Sequence, residues 1–225
     1  MRIFESAAAL ASNLAQDTAQ ALATRIAAEG RAMLAVSGGT TPMRFFEALS
    51  RINLDWSRIV VTLVDERWVP ETNPRSNAAL VRRHLLVNAA ALASFVPLYN
   101  GASTPLLGRD AQSAILAGQP LPLAAAILGM GEDGHTASFF PGGDRLAEAL
   151  QPDSVQLLET MSAPGAGEAR ITFTLPVLRQ ADFLAVHIEG ERKREVLERA
   201  QQPGPIAEMP IRSVLGHGCT IYWCP

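Results

Sequence analysis

The side chains of this sequence best placed to move protons or hold an anion stand at the ends of apolar runs. Leu123 to Leu128 is almost wholly aliphatic and alanine, and it breaks into Gly129-Met130-Gly131-Glu132-Asp133-Gly134-His135-Thr136-Ala137-Ser138. A run of that kind reads as a strand covered on both faces, and the glycines let the backbone turn tightly beside a ligand. His135 then lies beyond the carboxyl end of a strand, where ligands bind in open parallel sheets, so its imidazole is a candidate for proton exchange. A second run, Ile59 to Val64, ends abruptly in Asp65-Glu66-Arg67-Trp68-Val69-Pro70, and charges at the end of a buried strand again suggest a site.

Three further stretches suit an anion. Ser37-Gly38-Gly39-Thr40-Thr41-Pro42 follows a short apolar run and precedes a helical pattern, with Pro42 at the expected first helical position. Its backbone N–H groups, hydroxyls and helix dipole fit a phosphate monoester, although an ordinary tight turn reads the same way. The lysine and glycine spacing of a P-loop is missing, which argues against nucleotide triphosphate chemistry. Gly190-Glu191-Arg192-Lys193 puts a lysine in the first turn of a helix, where the dipole disfavours a cation. Lys193 is held there by an anionic ligand or belongs to a solvated face paired with Glu191 and Glu195. Arg170 opens the alternating strand Arg170-Ile171-Thr172-Phe173-Thr174, and its guanidinium either caps an edge in water or grips a phosphate or carboxylate.

Other matches are weaker. Gly129-x-Gly131-x-x-Gly134 satisfies the dinucleotide fingerprint, but Glu132 and Asp133 would oppose a pyrophosphate and Pro141-Gly142-Gly143 cuts short the helix meant to bind it. His217, Cys219 and Cys224 form a loose cluster with no fourth ligand, so no zinc site is expected. His84 falls on a helix and His187 within a strand, and both read as structural.

The elements that position these groups alternate. Leu10, Leu14, Leu22 and Ile26 predict an amphipathic helix from Ser6 to Glu29, ended by Gly30. Strands follow at Ala32–Val36 and Ile59–Val64, near Phe95–Tyr99, at Leu123–Leu128, Val155–Met161, Arg170–Leu175 and Asp182–Ile188, and at Cys219–Cys224. Helices are expected over 77–87, 109–116 and 190–200. The alternation predicts an α/β fold, a mainly parallel sheet with helices on both faces in a Rossmann-like three-layer arrangement, formed by residues 1–225 as a single domain.

The chain has 225 residues, is 48% hydrophobic and carries a formal charge of −3. It can bury a large core, and it offers no basic field for nucleic acid or acidic membrane. No targeting segment and no run long enough to span a bilayer is evident. Two cysteines near the C-terminus favour a reducing cytoplasm over a secreted disulfide framework.

In order and spacing, Ser37-Gly38-Gly39-Thr40-x-Pro42, Asp65-Glu66-Arg67-x-Val69-Pro70 with Ser76-Asn77, Gly129-Met130-Gly131-x-Asp133-Gly134-His135-Thr136-Ala137-Ser138, Arg170-x-Thr172-x-Thr174 and Gly190-x-x-Lys193 resemble the 6-phosphogluconolactonase family. The neighbouring glucosamine-6-phosphate deaminases share the Ser-Gly-Gly loop and the Asp-Gly-His turn. Their turn continues into Asn-Glu-Pro and their second strand ends in Asp-Glu-Tyr, where this chain has Phe139-Phe140-Pro141 and Arg67. The resemblance implies hydrolysis of 6-phospho-D-glucono-1,5-lactone to 6-phosphogluconate in the oxidative pentose phosphate pathway, with no metal and no cofactor. It implies His135 as general base on water, Arg67 steadying the oxyanion, and Asp133 or Asp65 orienting the imidazole. The phosphate would rest on the amides of Ser37, Gly38, Gly39 and Thr40 and pair with Arg170 and Lys193. The partner is then a small phosphorylated sugar lactone, and the protein a cytoplasmic monomer or small homo-oligomer. The alternatives are a sugar-phosphate deaminase or isomerase of similar architecture and a non-catalytic sugar-phosphate sensor.

Overall fold

The computed structural model describes every residue except His217. Seven strands form a parallel sheet in the order β1-β10-β9-β6-β2-β3-β5, namely Arg2–Ile3, Thr220–Cys224, Phe183–Glu189, Ala125–Leu128, Ala32–Val36, Ile59–Leu63 and Ser94–Phe95. The central strands β2, β3 and β6 are buried along their whole length, as their unbroken apolar composition requires. Seven helices are present among the described residues: α1 Ala7–Glu29, α2 Met43–Ser50, α3 Asn77–His84, α4 Pro105–Ala117, α5 Leu146–Leu150, α6 Leu175–Arg179 and α7 Glu191–Gln201. None is long and apolar enough to cross a membrane.

Local signals fix α1 at both ends. The Ser6 hydroxyl accepts from the Ala9 N–H at 3.2 Å, and Gly30 at φ +80° closes the helix by donating to Ile26 O at 2.8 Å. Between those caps Leu10, Leu14 and Leu22 are fully buried. The helix after the Ser37 loop starts one residue later than its sequence pattern predicts, with Pro42 as the N-cap of α2. In the fourth helix Thr104, accepting from the Leu107 N–H, starts α4 at Pro105 ahead of the predicted Arg109.

The expected single sheet is corrected in one respect. Asp65–Arg67, Leu158–Met161 and Arg170–Phe173 are β4, β7 and β8 of a separate antiparallel sheet, ordered β4-β8-β7. Val64 is the handover: its N–H donates to Val36 O of the parallel sheet at 2.9 Å, and its carbonyl accepts from Phe173 N at 3.0 Å. The hydrophobic run therefore ends one residue before the chain changes sheets.

The order of the parallel sheet also locates a crevice. From β2 the chain moves to β3 on one side, whereas from β6 it moves to β9 on the other, and β2 and β6 are neighbours. Crossovers that diverge from adjacent strands leave a gap beyond their carboxyl ends, and ligands bind at such switch points. The loops at this gap are the Ser37 loop after β2 and the Gly129 turn after β6.

Candidate active site

A cleft of about 680 Å³ opens at that switch point. Ser37, Gly38, Gly39, Thr40, Asp65, Arg67, His135, Arg170 and Lys193 all line it, so residues far apart in the sequence are gathered in one place. Asp133 stands behind His135.

The turn after β6 is built around the imidazole. Gly131 N–H donates to His135 O at 2.9 Å, Gly134 N–H donates to Gly131 O at 3.1 Å, and Gly134 sits at φ +81°. Gly131 must lack a side chain, because a Cβ there would lie 2.1 Å from His135 Nδ1 and 2.5 Å from Asp133 Oδ1. Asp133 Oδ1 lies 2.6 Å from His135 Nδ1 and accepts the His135 N–H at 3.1 Å. With an ionised carboxylate on Nδ1, that nitrogen carries the proton and Nε2 keeps its lone pair. Burial pushes the Asp133 carboxyl up, but the hydrogen bond and charge of His135 outweigh it and hold the group below the usual carboxylate range. The Phe140 ring packs on the imidazole with centroids 4.4 Å apart.

Of the two carboxylates considered for orienting His135, Asp133 is the one in contact. Asp65 is turned elsewhere: it accepts the Ser138 hydroxyl at 2.5 Å and lies 3.7 Å from Arg170 Nη1. Arg170 is buried, its Nη2 donates to Ala166 O at 2.6 Å, and its guanidinium lies 5.4 Å from the centroid of Phe140. Burial lowers its pKa and the Asp65 charge partly offsets this. Phe140 therefore has His135 and Arg170 as neighbours.

Arg67, the register partner of Arg170 across β4 and β8, makes a different set of contacts. Its Nη1 donates to Arg75 O at 2.6 Å and to Asn77 Oδ1 at 3.0 Å, and Asn77 Nδ2 donates to Asp65 O at 2.9 Å. The same Asn77 amide packs on Gly38 so closely that a Cβ at Gly38 would fall 1.8 Å from Oδ1. Arg67 and the glycine loop thus share one contact residue. Gly39 follows at φ +93°, and the N-terminus of α2 lies just beyond. Lys193, in the first turn of α7, donates to Met130 O at 2.7 Å, and burial lowers its ammonium pKa against the opposing pull of Glu132 and Asp133.

Sequence reasoning gave no role to Arg75, Asn77, Phe140, His187 or Glu189, all of which line the cleft. Arg75 sits in a polar loop whose composition marks only a turn, and its ion pair with Glu168 at 2.6 Å spans residues no local pattern connects. His187 reads from sequence as structural and is buried, yet it borders the cleft with Nε2 3.0 Å from Glu189 Oε1. The dinucleotide spacing fails in context, since no helix follows Gly134 until Leu146. His217 lies outside the described residues; among those described, no group of three His, Cys, Asp or Glu side chains is placed to hold a metal.

Arg67, Arg75, Arg170 and Lys193 face Asp65 and Glu189 across this cleft. That surplus of positive charge suits a small anion, and an imidazole tethered through Nδ1 suits removal of a proton from water.

The family profile described as glucosamine-6-phosphate isomerases/6-phosphogluconolactonase matches residues 5–223. The 6-phosphogluconolactonase of Rhizobium meliloti is 53% identical over all of this chain and 98% of its own length. That of Mesorhizobium japonicum is 49% identical over 96% of this chain and 91% of its own. The crystal structure of a 6-phosphogluconolactonase from Shewanella baltica superposes with a TM-score of 0.96 at 36% identity, covering 100% of this chain and 97% of that one.

Proposed function

The chain belongs to the family of glucosamine-6-phosphate isomerases and 6-phosphogluconolactonases, and we propose that it is the lactone hydrolase of the two, converting 6-phospho-D-glucono-1,5-lactone to 6-phospho-D-gluconate in the oxidative pentose phosphate pathway. One observation carries the reading at this site: an imidazole tethered by a carboxylate and a cluster of four cations line the same crevice.

In this mechanism the substrate phosphate lies on the Ser37 to Thr40 amides with the charge of Lys193 nearby, and the lactone carbonyl faces His135. Nε2 takes a proton from water as the oxygen attacks C1, and Asp133 stabilises the imidazolium that forms. The carbonyl oxygen becomes anionic and is met by a guanidinium. As the tetrahedral centre collapses, the C1–ring-oxygen bond breaks and the leaving alkoxide takes the proton back from His135. The product is a carboxylic acid at C1, which ionises to the carboxylate by releasing the remaining water proton to solvent, so the step balances with water and His135 alone.

The sequence reading gives Arg67 the oxyanion and Arg170 the phosphate, and we assign them the other way round. In support, Arg170 shares Phe140 with His135, whereas Arg67 shares Asn77 with Gly38. Asp65 then serves as the counter-ion of Arg170. Two free thiols, Cys219 and Cys224, accord with a cytoplasmic setting.

The test follows freshly generated phosphogluconolactone against its spontaneous opening. His135→Ala should lose about 10²- to 10⁴-fold in kcat; undiminished turnover in that variant would remove His135 from the chemistry. Ammonia or a ketose phosphate formed from an amino sugar phosphate, with no lactone hydrolysis, would favour the deaminase reading instead.

A further inference from the structure

Glu66 lies between the two residues of its strand already given roles, yet it does not line the cleft. It is fully buried and accepts four hydrogen bonds. Oε1 receives the backbone N–H groups of Arg67 and Asn77, each at 2.8 Å, and Oε2 receives the Ala78 N–H at 2.8 Å and the Ser76 hydroxyl at 3.1 Å. Removing a carboxylate from water is costly unless its lone pairs are met in this way, and here burial still raises its pKa against those donors. Part of this is capping of α3: the Ser76 hydroxyl accepts from the Ala79 N–H at 3.2 Å, and Glu66 meets the Asn77 and Ala78 N–H groups that the hydroxyl leaves without a partner. What Glu66 adds is a connection between β4 and the first turn of α3.

That connection leads to the anion end of the cleft. Asn77, held by Glu66 through its backbone, uses its side chain to hold Arg67 Nη1 at 3.0 Å and presses on Gly38. We infer that Glu66 is a positioning residue for anion binding: it fixes the backbone from which Arg67 and Asn77 reach the cleft, and through Asn77 it sets the place of the glycine loop. It touches no substrate, and its effect passes through Arg67 and Asn77. The inference rests on the proposed function only for the choice of assay substrate.

Glu66→Gln keeps the shape but leaves one amide oxygen to accept where two carboxylate oxygens did, and turns an NH₂ group on N–H donors. KM for the lactone and Kd for inorganic phosphate should both rise about tenfold, as expected for lost hydrogen bonds to a charged group. The loss should appear in KM and not in kcat. The discriminating measurement is the double-mutant cycle with Arg67→Ala, in which Glu66→Gln should add little further weakening. The same factor in both backgrounds, or a loss confined to kcat, overturns the inference and leaves Glu66 as structural. Should Glu66→Gln fail to fold by circular dichroism, Asn77→Ala takes its place in the cycle with the same expectation and the same overturning result. Should the wild type hydrolyse no lactone, calorimetric titration with inorganic phosphate decides the inference alone, so its failure and that of the proposed activity are read separately.

Discussion

The two walls of the cleft are built by opposite means. On one, a single turn after β6 supplies the imidazole, the acid that tethers it, the glycine that makes room for it and the ring that packs on it, all between Gly129 and Phe140. On the other, Arg67 and Arg170 face each other as register partners of two antiparallel strands from different halves of the chain, and Asn77 reaches in from a helix. Local contacts set the imidazole and its tether on the first wall, and contacts between distant segments place the side chains of the second. A defect in the turn should damage chemistry and spare anion affinity, while a defect in the composite wall should spread through every segment that meets there.

Two glycines allow that contrast to be broken. In Gly131→Ala the new Cβ would overlap His135 Nδ1 at 2.1 Å, so the dyad must move. We expect kcat to fall by about 10²- to 10³-fold, approaching the loss of the base itself, with the Kd for inorganic phosphate nearly unchanged. Phosphate affinity collapsing alongside kcat would show that the walls are not separate. In Gly38→Ala the Cβ would meet Asn77 Oδ1 at 1.8 Å, displacing the glycine loop or releasing Arg67. Here steady-state kinetics should show KM raised about tenfold or more, with the smaller change in kcat.

The same difference explains what could be read in advance. Ala32–Val36 is the β2 strand as its apolar run predicts, and α1 follows its Ser6 and Gly30 signals, because these depend on neighbours in the sequence. The Gly129 to Ser138 turn was legible for the same reason. The antiparallel sheet was not: Leu158–Met161 and Arg170–Phe173 have ordinary strand patterns, and nothing local distinguishes pairing with Asp65–Arg67 from joining the parallel sheet. Glu66 reads from sequence only as one of the charges that end its strand, and Arg75 only as part of a polar loop, because their partners are fixed once β4 meets α3. Arg170 could be flagged by type, but its choice of Asp65, Ala166 O and Phe140 belongs to the tertiary structure.

Acidity distinguishes the walls more gently. Lys193 has its ammonium pKa lowered by burial, with Glu132 and Asp133 pulling the other way. A bound phosphate favours the charged form, so binding raises this pKa, and affinity is full below the free-protein value and lost as pH rises through it. The decline should begin below the ordinary lysine range of about 10.4. Lys193→Arg, which keeps its charge, should flatten the profile of phosphate Kd against pH. An unchanged profile would mean that Lys193 does not pair with the anion.

The smallest expected effect concerns the turn itself. Asp133 is held below the usual carboxylate range by His135, against the upward push of burial. A depressed folded-state pKa contributes stability above the unfolded value, about 3.9, and that contribution disappears as pH falls through the folded value. The Asp133 side chain is 46% exposed, so solvent screening should keep the contribution below about 1 kcal/mol. Denaturation of wild type and Asp133→Asn at pH 7 and near pH 2 should therefore show a modest wild-type advantage only at the higher pH. A wild-type advantage of several kcal/mol at neutral pH would make the contact between Asp133 and His135 the brace of the turn. The small effect would instead assign that task to Gly131, Gly134 and the Thr136 hydroxyl, which donates to Gly129 O at 2.7 Å, and leave Asp133 to orient a base whose place the backbone already sets.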